Sequence, residues 1–359
     1  MDRFDKRLLF SAEITQKIYG LIAKIDAIKG QWKMTGALSP QMVARLKTSV
    51  LITSTGASTR IEGSKLSDKE VKALFSSVKI KKLKTRDEQE VMGYLELLQN
   101  VFDSWNQLSF SESLLLHLHQ ELLKYSEKDQ RHKGSYKSDS NRVEARDAEG
   151  KLIGIIFDPT PPHLVKPEMH ALIDWTKDHI ASDQTHPLLV LANFVFEFLA
   201  IHPFTDGNGR CSRVLTNLLL LQSGYEYTPY ISHEKIIEDN KAEYYVALNK
   251  TQATWKKSPE DISAWVLFFL ETVLKQSELA LLLITQESIE EFLSDKQLQV
   301  WHYALTQEIF QRADVIKATK LKPRTVEQSI KKLLDMNKLT KFGQGKATRY
   351  RANDVTPKS

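Results

Sequence analysis

The chain has 359 residues, a composition that is 42% hydrophobic and 26% charged, and a net charge of +5, which is typical of a globular protein with two or three domains. It has no uncharged apolar stretch of the roughly 18 residues that a membrane span needs, and its charged N-terminus differs from a secretory signal. Cys211 is the only cysteine, which excludes an intramolecular disulfide and predicts a cytoplasmic protein.

Apolar residues recur at helical spacing through residues 1–109, which predicts a helical N-terminal region. Ser39 and Pro40 are placed to open one of its helices, and Gly63 is placed to end it. We expect helices at residues 11–29, at 40–63, from a capping box at 67–70 onward, and at 87–105.

Residues 110–256 form a second region, in which helices surround one strand-rich segment. The apolar pattern on either side of Gly150 predicts a β-hairpin over residues 143–157. His117 and His119 lie two positions apart on the first helix and so face different directions, and we expect both at the surface or its boundary. The helices are expected at residues 110–125, 166–181, 188–201, 210–223 and 239–255.

Residues 257–295 are expected to continue as helix and linker, with one helix over 260–285. In residues 296–359, a helix–turn–helix pattern followed by a glycine-tipped basic hairpin is typical of a winged-helix domain. Its expected elements are helices around 298–310 and 325–336, the segment 314–320 between them, and strands at 338–342 and 347–351. The whole chain is therefore predicted to be mainly α, a helical bundle with one hairpin followed by a small α+β domain.

Residues 311–359 carry a net charge of +9, which leaves −4 for the rest of the chain. Such local basicity predicts an anionic partner, and we expect DNA to bind through residues 311–351. A winged helix that contacts protein, with its basic residues as a solvated face, is the alternative. The positions expected nearest phosphates or base edges are Lys322, Arg324, Thr325, Gln328, Lys331, Lys332, Lys346 and Arg349.

The richest chemistry lies in the twelve residues from His202 to Arg213, between two apolar helical runs. They place an imidazole, a carboxylate and glycine-flanked amides at a helix start, where unpaired N–H groups and the helix dipole favour an anion. Arg210 and Arg213 are three positions apart and therefore share one helix face. Together these groups predict a site for a polyphosphate that is attacked by a nucleophile.

This stretch closely resembles the hallmark of the Fic (fido) family, His-x-Phe-x-Asp/Glu-Gly-Asn-Gly-Arg-x-x-Arg. The fixed positions are met by His202, Phe204, Asp206, Gly207, Asn208, Gly209, Arg210 and Arg213. The resemblance extends over about residues 110–256 and implies a Fic-type helical bundle with a hairpin flap. It also implies an enzyme that transfers AMP from ATP to a Ser, Thr or Tyr hydroxyl of a protein.

The resemblance assigns roles to these residues. His202 would be the general base, and Asp206 would hold Mg²⁺ against the α- and β-phosphates. Arg210 would contact the β-phosphate region and Arg213 the γ-phosphate. The phosphate-binding group would consist of the side chain of Asn208, the amides of Gly207 and Gly209, and the guanidiniums of Arg210 and Arg213.

Two further features follow from the same resemblance. The hairpin at residues 143–157 matches the family's flap, on which a target protein docks by strand addition. Tyr244 and Tyr245 match a position where an aromatic ring packs on adenine, although we expect one of them to be a core residue instead. Gln252 stands where some relatives carry an Asn that contacts adenine. Self-modification and a homodimer are the other partner expectations.

Ser58-x-x-x-Glu62-Gly63 lies at the end of the helix expected at about residues 42–63. Its position resembles the autoinhibited class of the family, in which the helix glutamate pairs with the second arginine, here Arg213. A carboxylate on Arg213 removes a charge-assisted contact and repels phosphate. In some relatives this glutamate instead helps to remove AMP. The alternative is that Glu62 is an ordinary solvent-facing residue.

Three other interpretations of the central site stay open at this point. Cys211 with His202 resembles a thiol and its base, although the apolar residues that follow favour packing for Cys211. A related transfer, of phosphoryl or another nucleotidyl group, is the second. The third is a DNA-binding regulator whose Fic site only senses nucleotide.

Overall fold

The computed structural model describes residues 2–34, 40–77, 83–141, 143–146, 152–182, 184–290, 293–343, 345 and 348–353. The chain divides into two compact units, Met1–Leu281 and Leu282–Ser359. The finer division expected at residues 109/110 and 256/257 remains a prediction. In the described part of the chain, no helix combines the length and the hydropathy that crossing a membrane requires.

The first unit is a helical bundle with one hairpin. Its helices are α1 (Arg3–Lys6), α2 (Ala12–Met34), α3 (Pro40–Ile61), α4 (Asp68–Ser77), α5 (Arg86–Ser104), α6 (Glu112–Leu122), α7 (Pro162–Ser182), α8 (Pro187–Ile201), α9 (Asn208–Gln222), α10 (His233–Asp239), α11 (Lys241–Gln252) and α12 (Ser263–Glu290), the last crossing the boundary between the units. Short 3₁₀ helices lie at Trp105–Gln107 and Thr228–Tyr230. The mainly α fold predicted from the sequence is therefore confirmed.

The predicted hairpin is present as β1 (Val143–Arg146) and β2 (Leu152–Phe157), which pair antiparallel. Val143 lies opposite Phe157 and Arg146 opposite Leu152, with irregular register between these ends. The turn between the strands, residues 147–151, and most of the side chains of the hairpin lie outside the described residues.

The centre of the first unit is formed by α8 and α9, which pack against each other. Every residue of α8 from Leu188 to Ile201 is buried, because this helix is apolar on all sides and is surrounded by its neighbours. The loop between the two helices therefore starts and ends in the buried core, and a site supported by packed helices is held more precisely than one on a free loop.

Two short helices are absent from the sequence predictions. Helix α1 has four residues, too few for a hydrophobic period, and is held by a buried pair between Arg7 and Glu197 of α8. Helix α10 precedes α11 with Asn240 between them, where the sequence pattern predicted one helix from residue 239. Ser232 accepts a hydrogen bond from Lys235 N at 3.0 Å and so caps α10 separately.

The second unit has its own core. It contains α13 (Asp295–Leu305), α14 (Arg312–Thr319), α15 (Pro323–Asp335), β3 (Leu339–Phe342) and β4 (Arg349–Ala352). The strands pair antiparallel with Leu339 opposite Ala352, and Phe310 makes an additional bridge to Tyr350. Val326, Ile330 and Leu333 of α15 are buried in this core, which leaves the opposite face of α15 exposed. Lys346, one of the predicted contact positions, lies outside the described residues.

Candidate active site

The loop between α8 and α9 is shaped by two residues in the left-handed region. His202 caps α8 with φ 51° and ψ 61°, and Gly207 precedes α9 with φ 82°. The side-chain amide of Asn208 closes the loop, because its Oδ1 accepts from Phe204 N at 2.9 Å and its Nδ2 donates to Phe204 O at 2.7 Å. His202 is a non-glycine residue in the left-handed region and is therefore strained, and backbone strain of this kind is concentrated at functional sites.

His202 is held as a neutral base. Its Nδ1 lies 3.3 Å from Leu199 O, and because a carbonyl only accepts, Nδ1 carries the proton and Nε2 keeps a lone pair. Burial, assisted by the positive charge of Lys137, lowers the pKa of His202 to about 4, although the hydrogen bond to Leu199 O and the carboxylates of Glu62 and Asp206 act in the opposite direction. The imidazole is therefore unprotonated at neutral pH.

Asp206 is surrounded by cations and amides. Arg210 Nη2 lies 3.1 Å from its Oδ1, and Arg86 Nη2 lies 3.1 Å from its Oδ2. Gly207 N donates to Oδ1 at 2.6 Å. Burial raises the pKa of Asp206, but Arg210, the Gly207 amide and Arg86 outweigh it and keep the carboxylate ionised. Glu90 joins the two arginines, since it pairs with both Arg86 and Arg210.

Arg213 is buried and is bound by the end of α3. Its Nε donates to Ser58 Oγ at 2.8 Å, and its Nη2 donates to Ser58 O at 2.9 Å and to Glu62 Oε1 at 2.8 Å. Burial lowers the pKa of Arg213, but the adjacent Glu62 carboxylate raises it well above its ordinary value. Among the described residues, its Nη1 is buried without a hydrogen-bond partner.

Glu62 lies directly in front of Gly209. A Cβ atom added to Gly209 would come within 2.1 Å of Glu62 Oε1 and 3.2 Å of Arg213 Nη1. The carboxylate thus occupies the space at the first turn of α9 into which the glycine opens. Burial raises the pKa of Glu62, whereas Arg213, Arg210 and His202 lower it by a larger amount, so Glu62 is a carboxylate here.

Tyr244 and Tyr245 have different environments on α11. Tyr244 is buried against Trp265 and Phe268, with ring centroids 5.8 Å apart in both pairs. Tyr245 is 41% exposed, and its pKa is raised by its partial burial and by Glu62. Tyr244 therefore packs in the core, and Tyr245 is the ring that a ligand can reach from solvent.

His119 contradicts its surface prediction, because it is fully buried whereas His117 is exposed. Its ring stacks on Phe204 with centroids 3.7 Å apart, its Nδ1 accepts from Gly134 N at 3.0 Å, and its Nε2 therefore donates to Asp206 O at 3.0 Å. Burial lowers its pKa to about 4. The signal that reveals it is periodicity, since His119 lies four residues after one buried leucine of α6 and three before another.

Cys211 lies in the first turns of α9 and is fully buried. Burial raises the pKa of its thiol to about 12, with only a small opposing effect of Arg210. A thiol in this state is neither ionised nor accessible, so it is a packing residue and not a nucleophile.

Residues 109–220 match the Fic/DOC family. The chain contains a Fic domain. Its relatives include a protein adenylyltransferase, fic-1, from Caenorhabditis elegans, 33% identical over 93 residues that cover 26% of this chain and 17% of the relative. A probable protein adenylyltransferase from Aquifex aeolicus is 29% identical over 92 residues, which cover 26% of this chain and 28% of the relative. These alignments span less than a third of each relative.

Solved structures establish the same fold around the Fic domain. A Fic family protein from Desulfovibrio desulfuricans G20 superimposes with a TM-score of 0.61 at 23% identity, covering 98% of both chains. Fic-1 from C. elegans gives a TM-score of 0.60 at 19% identity, covering 77% of this chain and 74% of that one. The Fic-type helical fold expected from the motif is thus confirmed.

The first unit brings the predicted site residues together with three that sequence reasoning missed. Motif residues from His202 to Arg213 share one loop and one helix start, and Ser58 and Glu62 reach them from α3. The additional contacts to the loop come from Arg86, His119 and Lys137, which lie on α5, on α6 and in the segment after it.

Proposed function

We propose that this Fic domain transfers AMP from ATP to a hydroxyl side chain of a protein. The observation that carries the proposal is the state of His202, a neutral imidazole whose Nδ1 is engaged by Leu199 O and whose Nε2 is available as a base. It lies on the same loop as Asp206 and directly before the α9 N-terminus, where phosphate is favoured. The adenylyltransferase names of the relatives support the choice of AMP.

The chain's own residues account for each part of the reaction. His202 Nε2 takes the proton of the hydroxyl as its oxygen attacks the α-phosphorus. A new P–O bond forms, the bond from the α-phosphorus to the bridging oxygen breaks, and pyrophosphate leaves with the electron pair. The amide of Gly209 lies in the first turn of α9, where it stabilises developing negative charge, while the amide of Gly207 donates to Asp206 and orients that carboxylate.

Two buried guanidiniums are suited to the phosphates. Arg210 Nε and Arg213 Nη1 are buried N–H groups that have no hydrogen-bond acceptor among the described residues. Unsatisfied buried donors are costly, and a phosphate oxygen supplies the acceptors that they lack. Following the resemblance, we assign Arg210 to the β-phosphate and Arg213 to the γ-phosphate. Asn208, whose amide is engaged by Phe204, shapes the loop that presents these groups.

Asp206 fits Mg²⁺ as a single carboxylate ligand. No group of three or more His, Cys, Asp or Glu side chains in the described ranges is arranged to hold a metal. Mg²⁺ usually keeps several waters and binds one or two carboxylates together with substrate phosphates, and it would neutralise phosphate charge here. The competing partner Arg86 has a side chain that is 55% exposed, and an exposed pair of this kind is readily exchanged.

We further propose that Glu62 inhibits the domain by occupying Arg213. Its carboxylate takes one guanidinium N–H and fills the space in front of Gly209, where a γ-phosphate would otherwise approach. Ser58 binds the same guanidinium and fixes its orientation. A position close to both the loop and bound AMP also suits Glu62 for the reverse reaction, removal of AMP from a modified protein.

The hairpin is our proposed docking site for the target. Strand β2 pairs with β1 on one side, and a target segment added as a further strand would place its hydroxyl near the loop. Contacts between β2 and α11 bring this strand close to the helix that carries Tyr245. Tyr245, the exposed ring, is the one that we assign to the nucleotide base.

The test of AMP transfer uses the Glu62→Gly protein with ATP that carries the radiolabel on either its α- or its γ-phosphate. We expect label on protein from α-labelled ATP only, stronger than in the native protein, and lost in Glu62→Gly/His202→Ala. Label from γ-labelled ATP would instead identify phosphoryl transfer. Glu62→Gln keeps the size of the side chain and isolates the contribution of its charge. Equal labelling by the native and Glu62→Gly proteins would refute the inhibition.

Exposed basic side chains of the second unit support a second candidate function, the binding of nucleic acid. Arg324, Gln328 and Lys331 are exposed at i, i+4 and i+7 of α15, opposite the buried face of the helix. Arg, Gln and Lys are the side chains that recognise base edges, and α15 has the length of a helix that enters a major groove. Lys341, Arg349 and Arg351 on the two strands add exposed positive charge.

Fluorescence anisotropy with labelled duplex DNA at several salt concentrations tests this candidate. We expect binding that weakens steeply with salt and is reduced by Arg324→Ala or Lys331→Ala. Lys296→Ala is the matched control, because Lys296 is an exposed lysine of the same unit that lies on α13 and not on α15 or the strands. Survival of DNA binding in His202→Ala would separate the two functions, and DNA binding without any labelling by Glu62 variants would favour a nucleotide-sensing regulator.

A further inference from the structure

Lys137 contacts the main chain on both sides of His202. Its backbone N–H donates to Pro203 O at 2.9 Å, and its ammonium donates to Ile201 O at 3.3 Å. The ammonium also donates to Asn141 Oδ1 at 2.6 Å. The residue immediately before His202 and the one immediately after it are therefore held by the same lysine.

Asn141 extends this contact to the next carbonyl of the loop. Its Nδ2 donates to Phe204 O at 2.8 Å, while its Oδ1 is the acceptor for Lys137. His202 adopts φ 51° between these held carbonyls. A non-glycine residue persists in this region only where the surroundings determine its conformation, and Lys137 with Asn141 supplies that constraint.

The hydrogen bonds of the Lys137 side chain do not by themselves require a positive charge. The residue is only 4% exposed, and among the described side chains its ammonium bonds to neutral oxygens and makes no ion pair. Burial lowers its pKa to about 8, against a weaker opposing effect of Asp158 and Glu168. A buried cation carries a desolvation cost that a neutral hydrogen-bond donor would not carry.

The charge acts on His202. Three charged groups face this imidazole: Lys137 from the segment after α6, Glu62 from the end of α3, and Asp206 from its own loop. Both carboxylates favour the imidazolium, whereas Lys137 and burial oppose it. Loss of the Lys137 charge would therefore raise the pKa of His202 and make protonation of the base easier.

We propose that Lys137 is a positioning residue of the transfer site, which holds His202 in its left-handed conformation and opposes protonation of its imidazole beside two carboxylates. The proposal rests on the AMP transfer proposed above. It predicts that the charge of residue 137 and its hydrogen bonds contribute separately, because the first acts on the proton of His202 and the second on its orientation.

The kinetic test compares Lys137→Met, Lys137→Gln and Lys137→Arg in the Glu62→Gly protein. We expect Lys137→Met to lower kcat about 10- to 100-fold while KM for ATP changes less than about twofold. In Lys137→Met and Lys137→Gln, the acid limb of the pH–rate profile should lie at higher pH than in the Glu62→Gly parent. In Lys137→Arg, which keeps the positive charge, it should lie at the same pH as in the parent. Lys133→Met is the matched control, a lysine of the same segment that bonds to Gln130 and not to the loop.

The second arm does not depend on activity. The imidazole of His202 is followed by NMR titration in the native, Lys137→Gln and Lys133→Met proteins, with its signal assigned by loss in His202→Ala. We expect its midpoint to rise in Lys137→Gln only. An unchanged midpoint, or neutral variants with unchanged kcat, would overturn the proposal. If the Glu62→Gly protein transfers no AMP, the proposed function is refuted but the proposal for Lys137 is not. The NMR midpoint of His202 would still decide the role of Lys137.

Discussion

Glu62 Oε1 lies 2.8 Å from Arg213 Nη2, although the two residues are 151 positions apart in the chain. The same carboxylate oxygen stands 2.1 Å from where a Cβ of Gly209 would be. Glu62 therefore occupies one guanidinium N–H of Arg213 and the space in front of Gly209. In the inhibition that we propose, this single carboxylate blocks productive placement of the γ-phosphate.

This relationship predicts a difference between ATP and ADP. If Arg213 receives the γ-phosphate, Glu62→Gly, which frees both the guanidinium and the space in front of Gly209, should tighten ATP binding about tenfold, which is the size of one charge-assisted hydrogen bond. ADP, which has no γ-phosphate, should change less than about twofold. Isothermal titration calorimetry on the Glu62→Gly and native proteins measures both, and an equal gain for ADP would place the contested phosphate elsewhere.

Replacing His119 should destabilise the folded protein through the loss of hydrogen bonds and not through the loss of ring stacking. His119→Phe keeps a ring against Phe204 but leaves Gly134 N and Asp206 O without their partners, so we expect the free energy of unfolding to fall by about 2–4 kcal/mol. His117→Phe, at an exposed position of the same helix, should change it by less than about 0.5 kcal/mol. Urea unfolding compares them, and equal effects would contradict this role.

The motif could be predicted from the sequence because its geometry is local. Asp206, Gly207 and Arg210 lie within one turn of a helix start, so their spacing alone places the carboxylate, the amide and the guanidinium together. The pairing of Glu62 with Arg213 came from family resemblance, since nothing in the spacing of residues so far apart can indicate contact.

The supporting residues could not be predicted, because they depend on tertiary packing. Lys137 and Asn141 lie in a polar segment that reads as a loop, and only the packed structure turns them inward onto the main chain around His202. Arg86 begins a helix and looks like a solvent-facing residue until its contact with Asp206 is seen. Helix α1 is likewise determined by the buried partner of Arg7 and not by local propensity.

Replacing Cys211 should leave AMP transfer intact. Because its thiol is buried and its pKa is raised to about 12, Cys211→Ser in the Glu62→Gly protein should label protein within about twofold of the parent. The hydroxyl costs about 1 kcal/mol of stability in this apolar site. Radiolabel transfer and thermal unfolding measure the two effects. Loss of labelling in a folded Cys211→Ser protein would instead support the interpretation of the thiol as a nucleophile.

Lys137 gives a pH dependence of stability that a lysine with an ordinary pKa does not give. Its pKa is about 8 in the folded protein against 10.5 for an ordinary lysine, so between these values the unfolded chain binds more protons. The free energy of unfolding should therefore rise with pH in this window, by about 1–2 kcal/mol after allowance for solvent screening, and the stabilisation should be lost as pH falls through about 8. Urea unfolding at pH 7.5 to 10 measures it as a gain of the native protein over Lys137→Met. Parallel curves for the two proteins would show that the ammonium of Lys137 is not desolvated.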